Sequence, residues 1–387
     1  MTVPPRPILF INPAAGMSGA EFSLLGLMEN LDPERFTPIL VVPEEGMLAS
    51  NARHAGITTL ILPAFIRFGE GYRPRTIPKA GRALLGLRKI IRANGIRIVH
   101  SNSPRAAYLG GAAARLCAVP SVIHVRDIHL SPFSSAWKAR LLGRLSDLII
   151  AVSAATRSSV IAKAPSLASK AQVVYTGLDL NLIDGRPAKN ARAELGINPT
   201  DPVIASAGIL HPAKGQGVLL RAAALLKTSF PTLRILIVGA ARREAENDYR
   251  QRLEALAVEL GLAESVVFTG FREDVLDLMA ASDVFVHPAV YPEPFARSLL
   301  EALALRLPVV ATRTGGIPEI VEDGRTGLLA EPSDPRSLAE AIGDLLRDRE
   351  KALRLGFNGR RKVESEFTIE KHVSALSEMY ERLLTPS

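Results

Sequence analysis

Short, almost wholly apolar runs rich in β-branched residues alternate with helix-like stretches along most of the chain. Such runs are RPILFIN, FTPILVVP, IRIVHSN, PSVIHVR, DLIIAVS and AQVVYTG in the first half, and PVIASAG, LRILIVG, SVVFTG, DVFVHP and LPVVAT in the second. Strands this apolar need cover on both faces, and the helix-like stretch that follows each run supplies it. The pattern predicts an α/β fold with parallel, doubly wound sheets.

The length of 387 residues indicates two domains, since one domain usually takes roughly 100 to 200 residues. The stretch 176–202 is rich in Gly, Pro, Asn and Asp and is the best candidate for a linker. We therefore expect Rossmann-like domains at 1–180 and 181–365. A last helix, within 366–387, is expected to pack back on the first domain.

The net charge of +8 is unevenly distributed. Residues 1–180 hold 21 Lys and Arg against 10 Asp and Glu, and ten of these basic residues lie between Arg67 and Arg105. Further on, SPFSSAWKARLLGRL sets Phe133 and Trp137 among basic residues. Such segments form either a solvated helix face or a surface that lies on an anionic membrane. Nucleic acid is a poor partner, because aromatic residues make up only 5% and no RNA- or DNA-binding motif occurs.

Nothing in the sequence indicates a membrane-spanning or exported protein. No run approaches the ~18 consecutive apolar residues of a spanning helix, and the first residues lack the pattern of a signal peptide. The single cysteine, Cys117, has no disulfide partner in the chain and is expected to fill space in the core. A cytoplasmic enzyme or binding protein is predicted, at most peripheral at the inner face of the membrane.

Known phosphate-binding and metal-binding signatures are missing. Neither half has G-x-G-x-x-G after its first strand, and the chain has no Walker A sequence and no Asp-x-Asp pair. Protein groups would then neutralise any bound phosphate. Lys214, in the loop GILHPAKGQG before an amphipathic helix, is one candidate. The alternative for Lys214 is an ordinary solvated lysine.

The stretch YPEPFARSLLEALALRLPVVAT places Glu293 in a loop and Glu301 in an apolar helix. Burying a carboxylate costs several kcal/mol unless a partner meets it. For Glu301 that partner is either Arg297, four residues earlier, or a pair of ligand hydroxyls. The amides of Ala296, Arg297 and Ser298 are expected to lie uncapped at the start of this helix, where they would suit phosphate oxygens.

These residues also carry a resemblance. The pattern E-P-F-x-x-S-x-x-E-A-x-A resembles the donor-site signature of family 4 retaining glycosyltransferases with the GT-B fold. Other segments also resemble motifs of that family and occur in the same order along the chain. They are GMSGAEFSLL, PSVIHVRD, DLIIAVSAATR, VVYTGLD, GILHPAKGQ, FTGFREDVLDLMAASDVFVHPA and TGGIPEIVEDGRTGLL. The likeness extends from about residue 8 to residue 345.

The resemblance implies a role for each matching residue. Glu301 would accept hydrogen bonds from the nucleotide ribose, Glu293 would lie by the donor sugar, and Lys214 would pair with the diphosphate. Gly19 would let the backbone approach the phosphates. Residues implied to address the sugar or phosphate through the helix start are Phe295, Ala296, Arg297 and Ser298. The resemblance further implies two facing domains with the site in the cleft, a nucleoside-diphosphate-sugar donor, and no metal or other cofactor.

The sequence departs from the family pattern at four places. Ile209 replaces an arginine of the phosphate loop, and Ala296 and Arg306 replace glycines. Arg126, next to Asp127, replaces a histidine. As a permanent cation, Arg126 either holds the sugar or the leaving phosphate or pairs with Asp127 or another neighbour.

Three further residues are candidates for the acceptor side. His100 and Asn102 stand at the carboxyl end of a predicted strand, where sites gather in such sheets, and Asp127 follows another. The alternatives are a core histidine for His100 and a cap of the helix beginning near Pro104 for Asn102. His287, at another strand end, is left without a role.

Together these features predict a metal-independent, retaining glycosyltransferase. Its catalytic residues would be Glu293, Lys214 and Arg126. The acceptor would be a saccharide or a lipid-linked sugar in the synthesis of cell-surface polysaccharide or glycolipid. Two alternatives remain at this point: a nucleotide-sugar epimerase of the same fold, and a regulator that binds nucleotide sugars without catalysis.

Overall fold

The computed structural model describes residues 4–63, 77–128, 135–184, 191–241 and 244–385. The chain divides into two compact units. The first unit comprises Met1–Leu178 with Ile369–Ser387, and the second comprises Asp179–Thr368.

The first unit is built on a parallel sheet of seven strands in the order β3-β2-β1-β4-β5-β6-β7. Its strands are β1 Arg6–Ile11, β2 Phe36–Val42, β3 Thr58–Ile61, β4 Ile98–Ser101, β5 Ser121–Val125, β6 Leu148–Ala151 and β7 Ala171–Val173. Its helices are α1 Gly19–Glu29, α2 Met47–His54, α3 Ile77–Ala93, α4 Pro104–Leu116, α5 Ala136–Arg144, α6 Ala154–Lys163 and, from the end of the chain, α16 Ile369–Leu384.

The second unit repeats this architecture with a six-stranded parallel sheet in the order β10-β9-β8-β11-β12-β13. Its strands are β8 Val203–Ala207, β9 Arg234–Val238, β10 Val266–Gly270, β11 Val284–His287, β12 Val309–Thr312 and β13 Leu328–Ala330. Its helices are α7 Asn181–Asp184, α8 Ala191–Glu194, α9 Gln216–Leu226, α10 Glu244–Glu259, α11 Val275–Ala280, α12 Arg297–Ala304, α13 Ile317–Ile320, α14 Pro335–Arg347 and α15 Arg349–Glu366. The expected fold class of two doubly wound parallel sheets is confirmed.

Burial on both faces of the sheet explains the apolar strands. Along β1, Ile8 and Phe10 belong to the core that α1 and α16 cover, whereas Leu9 and Ile11 belong to the core under α3 and α4. Because successive side chains point to opposite faces, such a strand needs apolar residues on both of its faces.

The last helix, α16, packs in the core of the first unit. Its residues Val373, Leu376 and Tyr380 are buried with Leu24 and Leu27 of α1. The amide of Ile369 donates to the carbonyl of Leu178 at 3.0 Å, at the point where the chain leaves and re-enters this unit.

Each sheet has one place where the strand order reverses. In the first sheet it lies between β1 and β4, and in the second between β8 and β11. In doubly wound sheets, ligands bind outside the carboxyl ends of the strands at this point. Within the described ranges, no helix is both long and apolar enough to cross a bilayer.

Candidate functional sites at the sheet switch points

In the second unit, the loops that follow β8 and β11 bring a lysine and a glutamate together. Lys214 ends a short 3-10 helix, Pro212–Lys214, after β8. The amide of Val290, after β11, donates to the carbonyl of Ala213 at 3.0 Å. Lys214 Nζ then lies 2.6 Å from Glu293 Oε2. Two residues that the sequence singled out separately are therefore an ion pair at the switch point.

Two glycines allow this approach. Gly215 has φ +72°, and a Cβ atom there would lie 1.8 Å from the carbonyl oxygen of Pro288. Gly315 has φ +57°, and its Cβ would lie 2.2 Å from the carbonyl oxygen of Glu293. The next amide, of Gly316, donates to that same oxygen at 2.7 Å. The backbone on either side of the ion pair is thus fixed by contacts that only glycine permits.

The surroundings of Glu293 keep it ionised. Burial favours its neutral form, but the His287 ring and the Lys214 ammonium outweigh burial, and the pKa of Glu293 falls to about 2. His287 Nε2 lies 3.8 Å from Glu293 Oε2, too long for a hydrogen bond, so we regard Lys214 as the main stabilising partner. Burial lowers the pKa of His287, which is therefore neutral near pH 7.

The helix α12 begins beside this pair without a capping side chain. Its N-cap is Ala296, which is 3% exposed and makes no side-chain hydrogen bond to the first turn. The ring of Phe295 packs edge-to-face on Phe367, with 5.6 Å between centroids. Arg297 and Ser298 are the first two helical residues and are partly exposed. The sequence-based expectation of a helix start without a side-chain cap fits this geometry.

Glu301 makes the intrahelical contact that was one of its two alternatives. Arg297 Nε donates to Glu301 Oε1 at 2.8 Å, and the Glu301 side chain is 18% exposed. The buried face of α12 is formed by Leu299, Leu300 and Leu303 among others. The second carboxylate oxygen, Oε2, has no partner in the described part of the chain, so a ligand hydroxyl can still reach this group.

In the first unit, Arg126 leaves the end of β5 and is held by neutral groups. Its Nε donates to Asn102 Oδ1 at 2.8 Å, and an Nη donates to Ser23 Oγ at 2.9 Å. The other Nη lies 3.2 Å from His124 Nδ1. Asn102 Nδ2 in turn donates to Asn12 Oδ1 at 2.9 Å. Of the predicted acceptor-side residues, the structure thus joins Asn102 to Arg126.

His100 lies in the core of the first unit and not at its surface. It is fully buried, and its Nδ1 lies 2.7 Å from the hydroxyl of Tyr380 on α16. Burial, more than the nearby Arg126 charge, lowers the pKa of His100 to about 3, so the ring is neutral. This position corresponds to the core-histidine alternative.

The alternative that Asn102 caps α4 is wrong. The N-cap is Ser103, whose Oγ accepts from the amide of Ala106 at 3.3 Å. Asn102 ends the turn one residue earlier, and its side chain points to Arg126 and Asn12 instead.

Three other residues that the sequence singled out lie at the ends of helices or strands. Gly19 is exposed and is the first residue of α1, after the N-cap Ser18. Asp127 is exposed and follows Arg126. Cys117 is partly buried at the end of α4, where it packs beside one core of the first sheet.

Sequence reasoning missed several members of the first-unit cluster. Asn12 follows β1 directly and is 1% exposed, and Glu21 and Ser23 lie on α1 with 9% and 2% exposed. Tyr380 and His372 arrive from the other end of the chain. For Asn12, a polar residue straight after an apolar strand was a readable signal. For the residues of α16 the sequence offers none, because their contacts depend on where the last helix packs.

Each unit therefore carries a cation beyond the carboxyl ends of its strands, Lys214 in the loop after β8 and Arg126 directly after β5. Lys214 and the start of α12 suit a diphosphate and a sugar, and Glu301 suits a hydroxyl pair. In the described ranges, no group of three or more His, Cys, Asp or Glu side chains is arranged to hold a metal ion.

Comparison with known proteins gives both units a family. Residues 17–182 match the model described as Glycosyltransferase Family 4, and residues 187–362 match Glycosyl transferases group 1.

Individual proteins agree with these family matches. The chain is 29% identical to the alpha-maltose-1-phosphate synthase of Mycolicibacterium smegmatis, over 77% of this chain and 82% of the relative. It is 32% identical to the D-inositol 3-phosphate glycosyltransferase of Streptomyces scabiei, over 73% and 67%. The crystal structure of Anabaena HepE with UDP and glucose is similar with a TM-score of 0.82 and 26% identity, covering 97% of this chain and 99% of that one.

The chain belongs to glycosyltransferase family 4 and has the GT-B fold. It is a glycosyltransferase of a retaining, metal-independent class that uses nucleoside-diphosphate-sugar donors. The resemblance given by its motifs is thereby confirmed.

Proposed function

We propose that Lys214, Glu293, Glu301 and the start of α12 form the donor site of this enzyme. The observation that supports this most is the Lys214–Glu293 ion pair, 2.6 Å long, beside a helix start without a capping side chain. A cation and backbone amides at one switch point match the two negative charges of a nucleoside diphosphate. The second carboxylate oxygen of Glu301 would accept hydrogen bonds from the ribose hydroxyls.

The donor is proposed to be a UDP-sugar. HepE, which shares 26% of its residues with this chain, has been crystallised with UDP and with UDP-glucose. On donor binding, Lys214 would turn from Glu293 towards the diphosphate, and Glu293, ionised at neutral pH, would remain beside the sugar as an acceptor for its hydroxyls.

The proposed reaction is a displacement on the face from which the diphosphate leaves. The bond from the anomeric carbon to the phosphate oxygen breaks as the acceptor oxygen bonds to that carbon. The acceptor proton passes to the departing phosphate oxygen. Lys214 and the α12 amides stabilise the charge that develops on the diphosphate, so the protein contributes mainly positioning and electrostatics. Arg126 and Asn102 are proposed to act on the first-unit side of the reaction.

Binding across UDP-, GDP-, ADP- and dTDP-sugars tests the donor site. Calorimetry should find one preferred donor, and Lys214→Ala and Glu301→Ala should each weaken its binding roughly 10- to 100-fold, as expected when a charged hydrogen bond is lost. Arg325→Gln, at a side chain that is 76% exposed, is the control and should bind like the wild type. Equal affinity in all four proteins would refute the proposed site.

We further propose that the first unit lies on an anionic membrane, where a lipid-linked acceptor for polysaccharide or glycolipid synthesis would be found. On α3, Arg82, Lys89 and Arg92 are exposed on the same helix face as Leu85, which is 63% exposed. On α5, Trp137 is 60% exposed. Basic residues around exposed apolar ones are typical of helices at a lipid surface.

Vesicle sedimentation tests this surface. Residues 64–76 and Phe133, which also belong to the basic segments of the sequence, lie outside the described residues. The wild type should sediment with phosphatidylglycerol vesicles but not with phosphatidylcholine vesicles. Replacement of Arg82, Lys89 and Arg92 by Gln should abolish sedimentation. Unchanged sedimentation of this variant would show that α3 is an ordinary solvated face.

A further inference from the structure

The cation at the first switch point, Arg126, differs in its partners from Arg360, a buried arginine of the second unit. Arg126 is partly buried, and its three contacts with described residues are the amide oxygen of Asn102, the hydroxyl of Ser23 and a nitrogen of His124. His124 is neutral, because burial and then the charge of Arg126 hold its pKa well below the usual range. None of the three contacts brings a negative charge.

Glu21, the acidic residue whose charge reaches Arg126, bonds to other groups. Glu21 on α1 is close enough for its charge to raise the pKa of Arg126. Its oxygens, however, accept from Asn12 Nδ2 at 3.3 Å and from the hydroxyl of Ser18. Burial is the larger effect and lowers the pKa of Arg126 to about 10. The guanidinium is thus charged at neutral pH without a carboxylate partner among the described residues.

A second arginine of the same chain shows the usual alternative. Arg360 in the second unit has a side chain that is 6% exposed, and it contacts Asp184 at 2.6 Å and Glu364 at 2.7 Å. Buried guanidinium groups are normally paired in this way, because an unpaired charge is costly to desolvate. An arginine that is fixed in position yet lacks a counter-ion is suited to an anionic ligand.

The geometry leaves Arg126 able to bind such a ligand. A guanidinium has five N–H groups, and three of those on Arg126 point to the contacts above. The remaining two have no partner within the described part of the chain. Two N–H groups on one planar cation match two oxygens of a phosphate. The site also lies at the carboxyl ends of β1, β4 and β5, next to the switch point.

We propose that Arg126 binds a phosphate group carried by the acceptor, so that this enzyme glycosylates a phosphorylated acceptor. This inference rests on the proposed function, in which Lys214 already serves the donor diphosphate. Arg126, a second cation that lies in the first unit, is then available for a second anion, the phosphate of the acceptor. One relative, the glycosyltransferase of Streptomyces scabiei, is named for D-inositol 3-phosphate.

Phosphate binding to the full-length chain tests this. Inorganic phosphate is titrated calorimetrically into the wild type, Arg126→Gln and Arg126→Lys, each saturated with UDP or with the diphosphate that the donor panel selects. The wild type should bind phosphate, Arg126→Lys should bind it more weakly, and Arg126→Gln should lose at least 10-fold in affinity. D-inositol 3-phosphate should behave like inorganic phosphate, whereas inositol should not bind through Arg126.

A second variant keeps the test decisive if Arg126→Gln does not fold. Asn102→Asp places a carboxylate at the 2.8 Å contact with Arg126 Nε. This built-in counter-ion should weaken phosphate binding at least 10-fold while Arg126 stays in place. Phosphate should also raise the melting temperature of the wild type but not of Asn102→Asp.

Two outcomes would overturn the inference. They are the absence of phosphate binding to the wild type, and equal phosphate affinity in wild type and Arg126→Gln. If Arg126→Gln keeps its phosphate affinity but loses affinity for the diphosphate, Arg126 serves the donor instead of the acceptor. Donor binding, measured separately through Lys214→Ala, tests the proposed function itself, so the two failures are distinguishable.

Discussion

At the scale of single residues, the sequence identified many residues of the site but could not predict which of them contact each other. Lys214 and Glu293 are both marked by their local patterns, yet 79 positions separate them, and only the docking of two loops pairs them. Arg126 stood out as a departure from the family pattern. Its partner Ser23 could not be foreseen, since hydrogen bonds between distant segments depend on how the helices pack on the sheet.

Arg306 provides a prediction at this scale. It replaces a glycine of the family pattern, and it keeps the backbone that glycine would adopt, with φ +59°. For a residue with a side chain this conformation costs roughly 1–2 kcal/mol. Arg306→Gly should therefore raise the free energy of unfolding by up to about 1 kcal/mol, since glycine also gains freedom in the unfolded chain.

Urea denaturation measures this change. The control is Arg354→Gly, on an exposed position of the helix α15. There glycine should lower the free energy of unfolding by about 1 kcal/mol. If both substitutions destabilise the protein equally, the positive φ of Arg306 carries no strain.

At the scale of elements, strands and helices followed from the sequence, whereas the contacts between loops did not. Nearly continuous apolar runs predicted every strand near the two sites, because the strands of a parallel sheet that is covered on both faces are buried on both sides. How closely the loops after β8 and β11 approach depends on atoms rather than on patterns. The 1.8 Å separation at Gly215 is an example.

Gly215 yields the element-scale prediction. Gly215→Ala would force the loops after β8 and β11 apart, because its Cβ would collide with the carbonyl oxygen of Pro288. Lys214 would then move from Glu293, and donor affinity should fall at least 10-fold in calorimetry.

The matched control is Gly196→Ala. Gly196 also has a positive φ, +63°, but nothing lies within 4 Å of its Cβ position. This variant bears the same backbone strain without a collision, so it should bind donor like the wild type. Equal losses in both variants would mean that strain, and not the approach of the two loops, sets donor affinity.

At the scale of the whole molecule, each unit carries its cation at its own switch point. The sequence predicts domains at 1–180 and 181–365 and a last helix that packs back on the first domain. The structure has one unit of Met1–Leu178 with Ile369–Ser387 and a second unit of Asp179–Thr368. The sequence suggested two domains through length and a Pro- and Gly-rich stretch. It could not specify that Tyr380 would bond to His100, because apolar helices of similar pattern can pack on many faces.

The two units should differ in their response to acid. Among the described residues of the first unit, three histidines are buried: burial lowers the pKa of His100 to about 3 and of His372 to about 4, and that of His124 well below its usual range. The unfolded chain, with histidine pKa values near 6.5, binds more protons over this window. The stability that neutral histidines contribute is complete above about pH 6.5 and is lost as the pH falls towards 4.

Hydrogen exchange followed by mass spectrometry measures this loss unit by unit. After correction for intrinsic rates, β1, β4 and β5 should lose protection between pH 6.5 and 4.5 before β8, β11 and β12, since His287 is the one histidine with a lowered pKa among the described residues of the second unit. His54→Gln, at an exposed position on α2, should leave the profile unchanged. Equal loss in both units would contradict the prediction.

Donor cleavage should proceed with retention and should rely on Lys214 rather than on a metal ion. The most direct measurement is proton NMR of the sugar released from the preferred α-linked donor, recorded within minutes in excess EDTA. The α anomer should appear first, at the same rate with and without EDTA, and Lys214→Ala should slow its release at least 10-fold. A β anomer as first product would exclude retention, and activity lost in EDTA would show that a metal ion is needed.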